Sequence, residues 1–236
     1  MRANASASAD PRRLPLYSVA EAAHYLSVPL ATVSSWVQGR PYPTRSGVRR
    51  FQPVVRAASL DPCRLSFTNL VEIHVLSGLR KNHRLRLDKI RTALEYVQRN
   101  LHVDHPLAHQ SFVTNGASLF VERFGDLIDV SNEGQSAMRQ VVLLYAERVD
   151  AGSDGLAYRL YPFTRPAAAG APKVIAIDPQ ISLGRPFIQG SGVPTSVLAE
   201  RYKAGDSIGD LAADYRCRQE EVEEAIRCEL DLRQAA

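Results

Sequence analysis

Pro29 divides residues 17–40 into two apolar-periodic stretches that cannot form one continuous helix. A proline in a helix interior removes a hydrogen bond and clashes with the preceding turn, yet it suits the first turn of the next helix. Upstream of it, Ser18 stands three residues before Glu21, the spacing of a capping box, and Val19, Ala22, Ala23 and Leu26 fall on one helical face. Downstream, Leu30, Val33, Trp36 and Val37 repeat the helical period and Gly39 supplies a stop. Two short helices joined by a Ser-Val-Pro turn have the layout of a helix-turn-helix. Trp36 lies on the apolar face, so it is expected in the core and not as a base-stacking platform.

The next stretch spreads Arg40, Arg45, Arg49 and Arg50 around Pro41, Pro43 and a Ser46-Gly47 turn signal, then turns strand-like over 48–55. A hairpin placed there would be a wing with its arginines beside a phosphate backbone. With "YSVAEAAHYLSVPLATVSSWVQGR" and this Arg-rich segment, the chain resembles the MerR-like winged-helix regulators. The resemblance extends through two further helices, 68–79 and 87–101. It implies DNA binding, with Thr32, Ser34, Ser35 and Gln38 turned to the groove and Ser18 a further DNA-binding candidate. Arg40, Arg45, Arg49 and Arg50 would meet phosphates or a minor-groove edge. Where members of that group carry basic residues on the second helix, this chain has Ser34 and Ser35, and serine gives only weak, ambiguous base contacts. Arg80, Lys81, Arg84 and Arg86 either extend the phosphate footprint or form a solvated loop. The helix over 68–79 carries Leu70, Val71, Ile73, Val75, Leu76 and Leu79, apolar almost all round, and needs cover on more than one side. A second copy of the chain would supply it, and a homodimer would read two half-sites.

Charge supports this division of labour. The formal net charge is only +4, but residues 1–100 carry +10 and residues 101–236 carry −6. A basic half is expected to meet nucleic acid and an acidic half is not. The longest apolar run, 141–146, is far too short to span a bilayer, and the first residues contain no signal-like apolar stretch. Three cysteines, Cys63, Cys217 and Cys228, match no disulfide or zinc spacing, so a reducing cytoplasmic setting is expected. No P-loop, nucleophile elbow or His-Glu-x-x-His appears, so neither an enzyme, a cofactor nor a metal is expected.

In the middle segment, 111–114 and 118–122 flank Asn115-Gly116, a hairpin signal, and further strands are expected over 127–130, 156–162 and 174–177, with a helix over 134–149. His102, His105 and His109 read as surface-loop residues because Pro106 interrupts any helix that would align them. From residue 174, "VIAIDPQISLGRPFIQGSGVPTSVLAERYKAGDSIGDLAADYRCRQEEVEEAI" resembles the three-helix family known as domain of unknown function 433. Its last helix carries Glu220, Glu221, Glu223, Glu224 and Glu229, which phosphates would repel, so a protein partner is the better inference. The combination resembles the VapB-type antitoxins of type II toxin-antitoxin pairs. That resemblance implies a partner ribonuclease of the PIN-domain-like kind, repression at operator DNA, and Arg185, Arg201, Arg216 and Arg218 as candidate partner contacts. The alternative is a MerR-like effector-responsive regulator with a ligand in the middle module and no toxin.

The expected fold class is therefore α+β. It comprises a flexible tail 1–14, a winged helix-turn-helix with additional helices 15–101, an α+β middle module with a β-hairpin 102–164, a linker 165–173, and a three-helix, helix-turn-helix-like domain 174–236.

Overall fold

A computed structural model of the chain describes residues 10–44, 47–80, 87–128 and 132–230. The fold is α+β: helices joined by two-stranded antiparallel hairpins. Helix α1 (Val19–Tyr25) begins with the capping box, Ser18 Oγ accepting from the Glu21 amide at 3.1 Å and Glu21 Oε2 accepting from the Ser18 amide at 2.7 Å. Helix α2 (Leu30–Gln38) starts directly after Pro29 and ends at Gly39, whose φ of +69° lets the chain turn into the wing. Val33, Trp36 and Val37 are buried. The wing is the antiparallel pair β1 (Arg40–Thr44) and β2 (Gly47–Phe51), with Arg40 opposite Phe51. Its exit is tied back to α2, because the amides of Val54 and Val55 both donate to the Trp36 carbonyl. A short hairpin, β3 (Ser59–Leu60) with β4 (Cys63–Arg64), leads into α3 (Phe67–Arg80), which is followed by α4 (Leu87–Leu101).

Helix α3 corrects the argument for a second copy. Leu70, Val71, Ile73, Val75 and Leu76 are at most 1% exposed within the single chain. The cover comes from α6 (Asn132–Ala146), from the turn at Pro106–Ala108 and from the turn at Pro11–Arg13. Of the expected tail 1–14, residues 1–9 lie outside the described residues, whereas Pro11–Arg13 form a docked turn. Asp10 caps that turn, Arg12 bridges Asp10 and Asp154, and Thr68 donates to the Arg12 carbonyl at 3.0 Å.

The hairpin expected around Asn115-Gly116 does not form. Phe112–Gly116 make a π turn running into α5 (Ala117–Ile128), so residues 127 and 128 of the strand expected at 127–130 are helical, while 129 and 130 lie outside the described residues. The reason is periodicity: Ala117, Phe120, Val121 and Phe124 recur at helical spacing and are all buried, with Phe120 stacked on Phe124 at 5.7 Å. Gly116 is required for a close approach, since a Cβ there would lie 2.8 Å from Phe112 and 3.0 Å from Leu101. The module's hairpin is instead β5 (Val149–Ala151) with β6 (Ala157–Leu160). One continuous core runs from Tyr17 through these elements to Leu160 and Ile177.

The last segment pairs β7 (Ile175–Ala176) with β8 (Phe187–Ile188) and stacks α7 (Thr195–Ala204), α8 (Ile208–Tyr215) and α9 (Gln219–Glu229) around Leu198, Leu211, Val222, Ala225 and Ile226. Ser207 caps α8, and Gly205 at φ +112° closes α7. Leu160 and Ile177 exchange both backbone hydrogen bonds, so this segment continues the sheet edge of the middle one. Residues 165–173 contain no helix or strand, but Arg148, itself buried, donates to the carbonyls of Tyr161, Pro162, Ala171 and Pro172 and fastens them.

Candidate nucleic-acid interface

The outward side of α2 carries exposed Leu30, Ala31 and Gln38 and half-buried Thr32, Ser34 and Ser35. Ser34 Oγ donates to Gln38 Oε1 at 2.8 Å, which holds the Gln38 amide with its NH2 group still available as a donor. Ser35 Oγ donates to the Thr32 carbonyl at 3.0 Å, so its hydroxyl can only accept from a base. Arg50 Nη2 donates to the Gln38 carbonyl at 2.8 Å, at the α2 C-terminus where helix carbonyls lack intrahelical partners. One arginine thereby clips the wing to the end of the helix expected in the groove and keeps its remaining N–H donors in the open. Arg40 is exposed at the base of the wing. Arg45 lies outside the described residues, as does most of the basic cluster at 80–86, and Arg49 is placed by its backbone in β2 opposite Tyr42.

Ser18 sits apart in role. Its hydroxyl and amide are both committed to Glu21, and burial of the Glu21 carboxylate is outweighed by those hydrogen bonds, which hold its pKa below the usual range. One basic residue escaped the sequence reading: Arg91 on α4 donates to the Gln52 carbonyl at 2.8 Å and braces the segment leaving the wing. Its helical spacing gave no hint of that contact, which joins positions 39 residues apart in the chain.

The four arginines expected to meet a protein partner are divided by the structure. Arg201 is held by Asp206 at 2.5 Å and Asp214 at 2.8 Å, and Arg218 by Glu221 at 2.8 Å. Arg185 and Arg216 are exposed and make no ion pair among the described residues. The acidic helix is likewise not one solvated face. Glu224 is 2% exposed and accepts from Thr164 at 2.5 Å, Arg165 at 2.6 Å and Arg227 at 2.5 Å. Burial raises its pKa, yet these three donors prevail and keep it ionised below the ordinary range. Glu229 accepts from Thr195 and faces His24 of α1 at 3.6 Å. Helix α9 thus packs on the helix-turn-helix itself, and that seam is completed by Tyr17, whose hydroxyl donates to the Gly184 carbonyl at 2.9 Å.

Among the described residues, no cluster of His, Cys, Asp or Glu could hold a metal ion, and no helix is long and apolar enough to cross a membrane. His105 pairs with Glu72 at 3.0 Å and His109 with Ser111 at 2.7 Å.

Residues 15–94 match the family described as "Putative DNA-binding HTH domain", and residues 175–227 match "Protein of unknown function (DUF433)". The chain is 29% identical over 229 residues to "Putative antitoxin VapB45" of Mycobacterium tuberculosis, with 90% of this chain and 93% of that protein covered. It is 23% identical over 232 residues to the uncharacterized protein Rv2308 of the same organism, covering 96% and 94%. The crystal structure of Rv2018 from Mycobacterium tuberculosis superposes with a TM-score of 0.66 at 24% identity, over 91% of this chain and 98% of that one, a likeness of fold. The chain carries an HTH-type DNA-binding domain in its N-terminal half and a DUF433 domain near its C-terminal end.

Proposed function

We propose that this protein is a DNA-binding antitoxin of a type II toxin-antitoxin pair, which represses its own operon and neutralises a PIN-domain-like ribonuclease. The observation that carries the reading is the clip between wing and α2: Arg50 joined to the Gln38 carbonyl sets a basic hairpin beside the helix that would enter a groove. Near full-length similarity to a protein named as an antitoxin supports the second half of the reading. In it, Thr32, Ser34, Ser35 and Gln38 face base edges, and Arg40, Arg45, Arg49 and Arg50 neutralise phosphates, as in the MerR-like arrangement. Ser18 belongs to this set through the helix it caps, not through its hydroxyl. Arg185 and Arg216 are the stronger partner contacts, because Arg201 and Arg218 are already paired within the chain. Homodimerisation, which two half-sites would require, must use a surface other than α3.

The test is co-expression with the product of the adjacent gene. A complex that survives purification, together with a shift of the DNA upstream of the operon, is the expected result. Absence of any complex at micromolar concentration would remove the antitoxin half of the proposal. DNA binding with no preference for the upstream sequence would remove the repressor half.

A further inference from the structure

A cleft of about 780 Å³ opens where the helix-turn-helix, the middle module and the end of α9 meet. That volume lies within the range of small-molecule sites, roughly 300–1,000 Å³. Its floor is aromatic. His74 is 2% exposed, 5.0 Å from the Tyr145 ring centroid and stacked on Phe163 at 5.8 Å with planes 21° apart. Its Nε2 donates to the Tyr145 carbonyl at 3.1 Å, and burial, with the nearby Arg148 guanidinium, drives its pKa down to about 3, so His74 carries no charge at neutral pH; Arg148, 4.4 Å from the Phe163 ring centroid, is not among the lining residues.

The rim has the opposite character. Among the described residues no carboxylate lines the cleft, whereas Arg165 and Arg227 do. Both guanidinium groups share the carboxylate of Glu224, and Glu229 is taken up by Thr195 and His24, so the two arginines keep unused N–H donors at the mouth. Leu30 and Leu230, 54% and 43% exposed, stand at the opening as uncovered apolar surface among the described residues. An uncharged aromatic floor beneath two arginines complements one kind of molecule: a flat apolar body with an anionic end.

We propose that this cleft binds a small aromatic carboxylate or a similar organic anion, its ring against His74, Tyr145 and Phe163 and its charge on Arg165 and Arg227. The proposal does not depend on the antitoxin reading. Because Leu26, Ser27, Val28 and Leu30, at the turn of the helix-turn-helix, form one wall, an occupant also sets how α1 sits against α9.

The experiment uses the purified full chain with 8-anilinonaphthalene-1-sulfonate as fluorescent probe and competition by indole-3-acetate and by its uncharged amide. Saturable one-site binding is expected, with the acid displacing the probe at least tenfold more effectively than the amide. Arg165→Gln should erase most of that tenfold preference and leave amide competition unchanged. Ala20 is exposed on α1 and lines the cleft, so Ala20→Trp should fill the space and abolish probe binding without lowering the melting temperature. Absence of saturable binding, equal competition by acid and amide, or probe binding untouched in both variants would overturn the proposal. If Ala20→Trp fails to fold, the charge preference and its loss in Arg165→Gln decide alone.

Discussion

Gly184→Ala should damage the seam between the DNA-binding and DUF433 domains far more than a methyl group's size suggests. Gly184 is buried at φ +77°, where an L side chain costs about 1–2 kcal/mol. A Cβ there would stand 2.4 Å from the Tyr17 hydroxyl oxygen and 3.2 Å from Cζ. Tyr17 cannot retreat cheaply, since it is 3% exposed and exchanges backbone hydrogen bonds with Leu65 at 2.9 and 2.7 Å. Overpacking of this kind costs about 1–3 kcal/mol, and losing the hydrogen bond to the Gly184 carbonyl about 1 kcal/mol more, for a total of about 4 kcal/mol. Gly190→Ala is the internal control: its φ is +95° but nothing lies within 4 Å of the added Cβ, so only the backbone penalty applies. In guanidinium unfolding of the full chain the two variants should differ by about 3 kcal/mol, or roughly 6–12 °C in Tm for a chain of this size. Tyr17→Phe removes the clashing oxygen, so Tyr17→Phe with Gly184→Ala should cost less than the sum of the single changes. If Gly184→Ala costs no more than Gly190→Ala, or the double change is additive, the seam does not rest on this contact.

Arg50→Gln should flatten the dependence of log DNA affinity on log salt by about 0.9, the contribution of one phosphate contact, and an unchanged slope would place Arg50 off the phosphates. His74, held neutral with its pKa down at about 3, favours the unfolded state as pH falls below 6.5. Between pH 7 and 5 that term removes about 2 kcal/mol of stability, and His74→Leu should lessen this acid sensitivity by a similar amount, read by denaturation at both pH values. His105 has the opposite sign. Its hydrogen bond to Glu72 outweighs burial and raises its pKa, so its contribution is complete below about pH 6.5, fades as pH rises through the raised value, and should vanish in His105→Gln. Charge reversal at Arg216 should weaken the complex with the adjacent gene product, while reversal at Arg218, already paired with Glu221, should change it less; equal effects in pull-down would remove Arg216 as the preferred contact.

What could be read from the sequence was governed by rules that act within a few residues. Ser18 with Glu21, Pro29, Gly39, Ser207 and Gly205 each set a helix boundary by capping or by φ, and the helix-turn-helix and the three C-terminal helices followed from them. Asn115-Gly116 misled because a dipeptide preference of the same local kind competed with a longer pattern, the buried face of Ala117, Phe120, Val121 and Phe124, and burial of aromatic area outweighs a turn preference. The apolar α3 was recognised as needing cover, but its cover comes from α6 and Pro11–Arg13, distant in sequence and invisible to periodicity. Neither could the cleft be seen, since its lining is gathered from residue 20 to residue 230.

The charge division changes meaning once α9 is placed. Counting Glu224 and Glu229 as surface charge made the C-terminal half look like an acidic face for an outside partner, yet both carboxylates are spent inside the molecule, on Arg165, Arg227, Thr195 and His24. One of them, Glu229, is through His24 an internal fastening of the DUF433 domain to the helix-turn-helix, whereas Glu224 is held by Thr164, Arg165 and Arg227 within the acidic half itself. That fastening borders the cleft, whose wall is the turn preceding α2. If an anion in the cleft alters the seat of α1 against α9 and thereby DNA affinity by some factor, linkage requires DNA to alter the anion's affinity by the same factor. Titrating the anionic probe with and without the upstream DNA measures one side of that equality, and titrating DNA with and without saturating probe measures the other. Unequal factors would mean that one of the two ligands binds at a further site. A factor of one on both sides would mean that the cleft and the DNA-binding helix move independently.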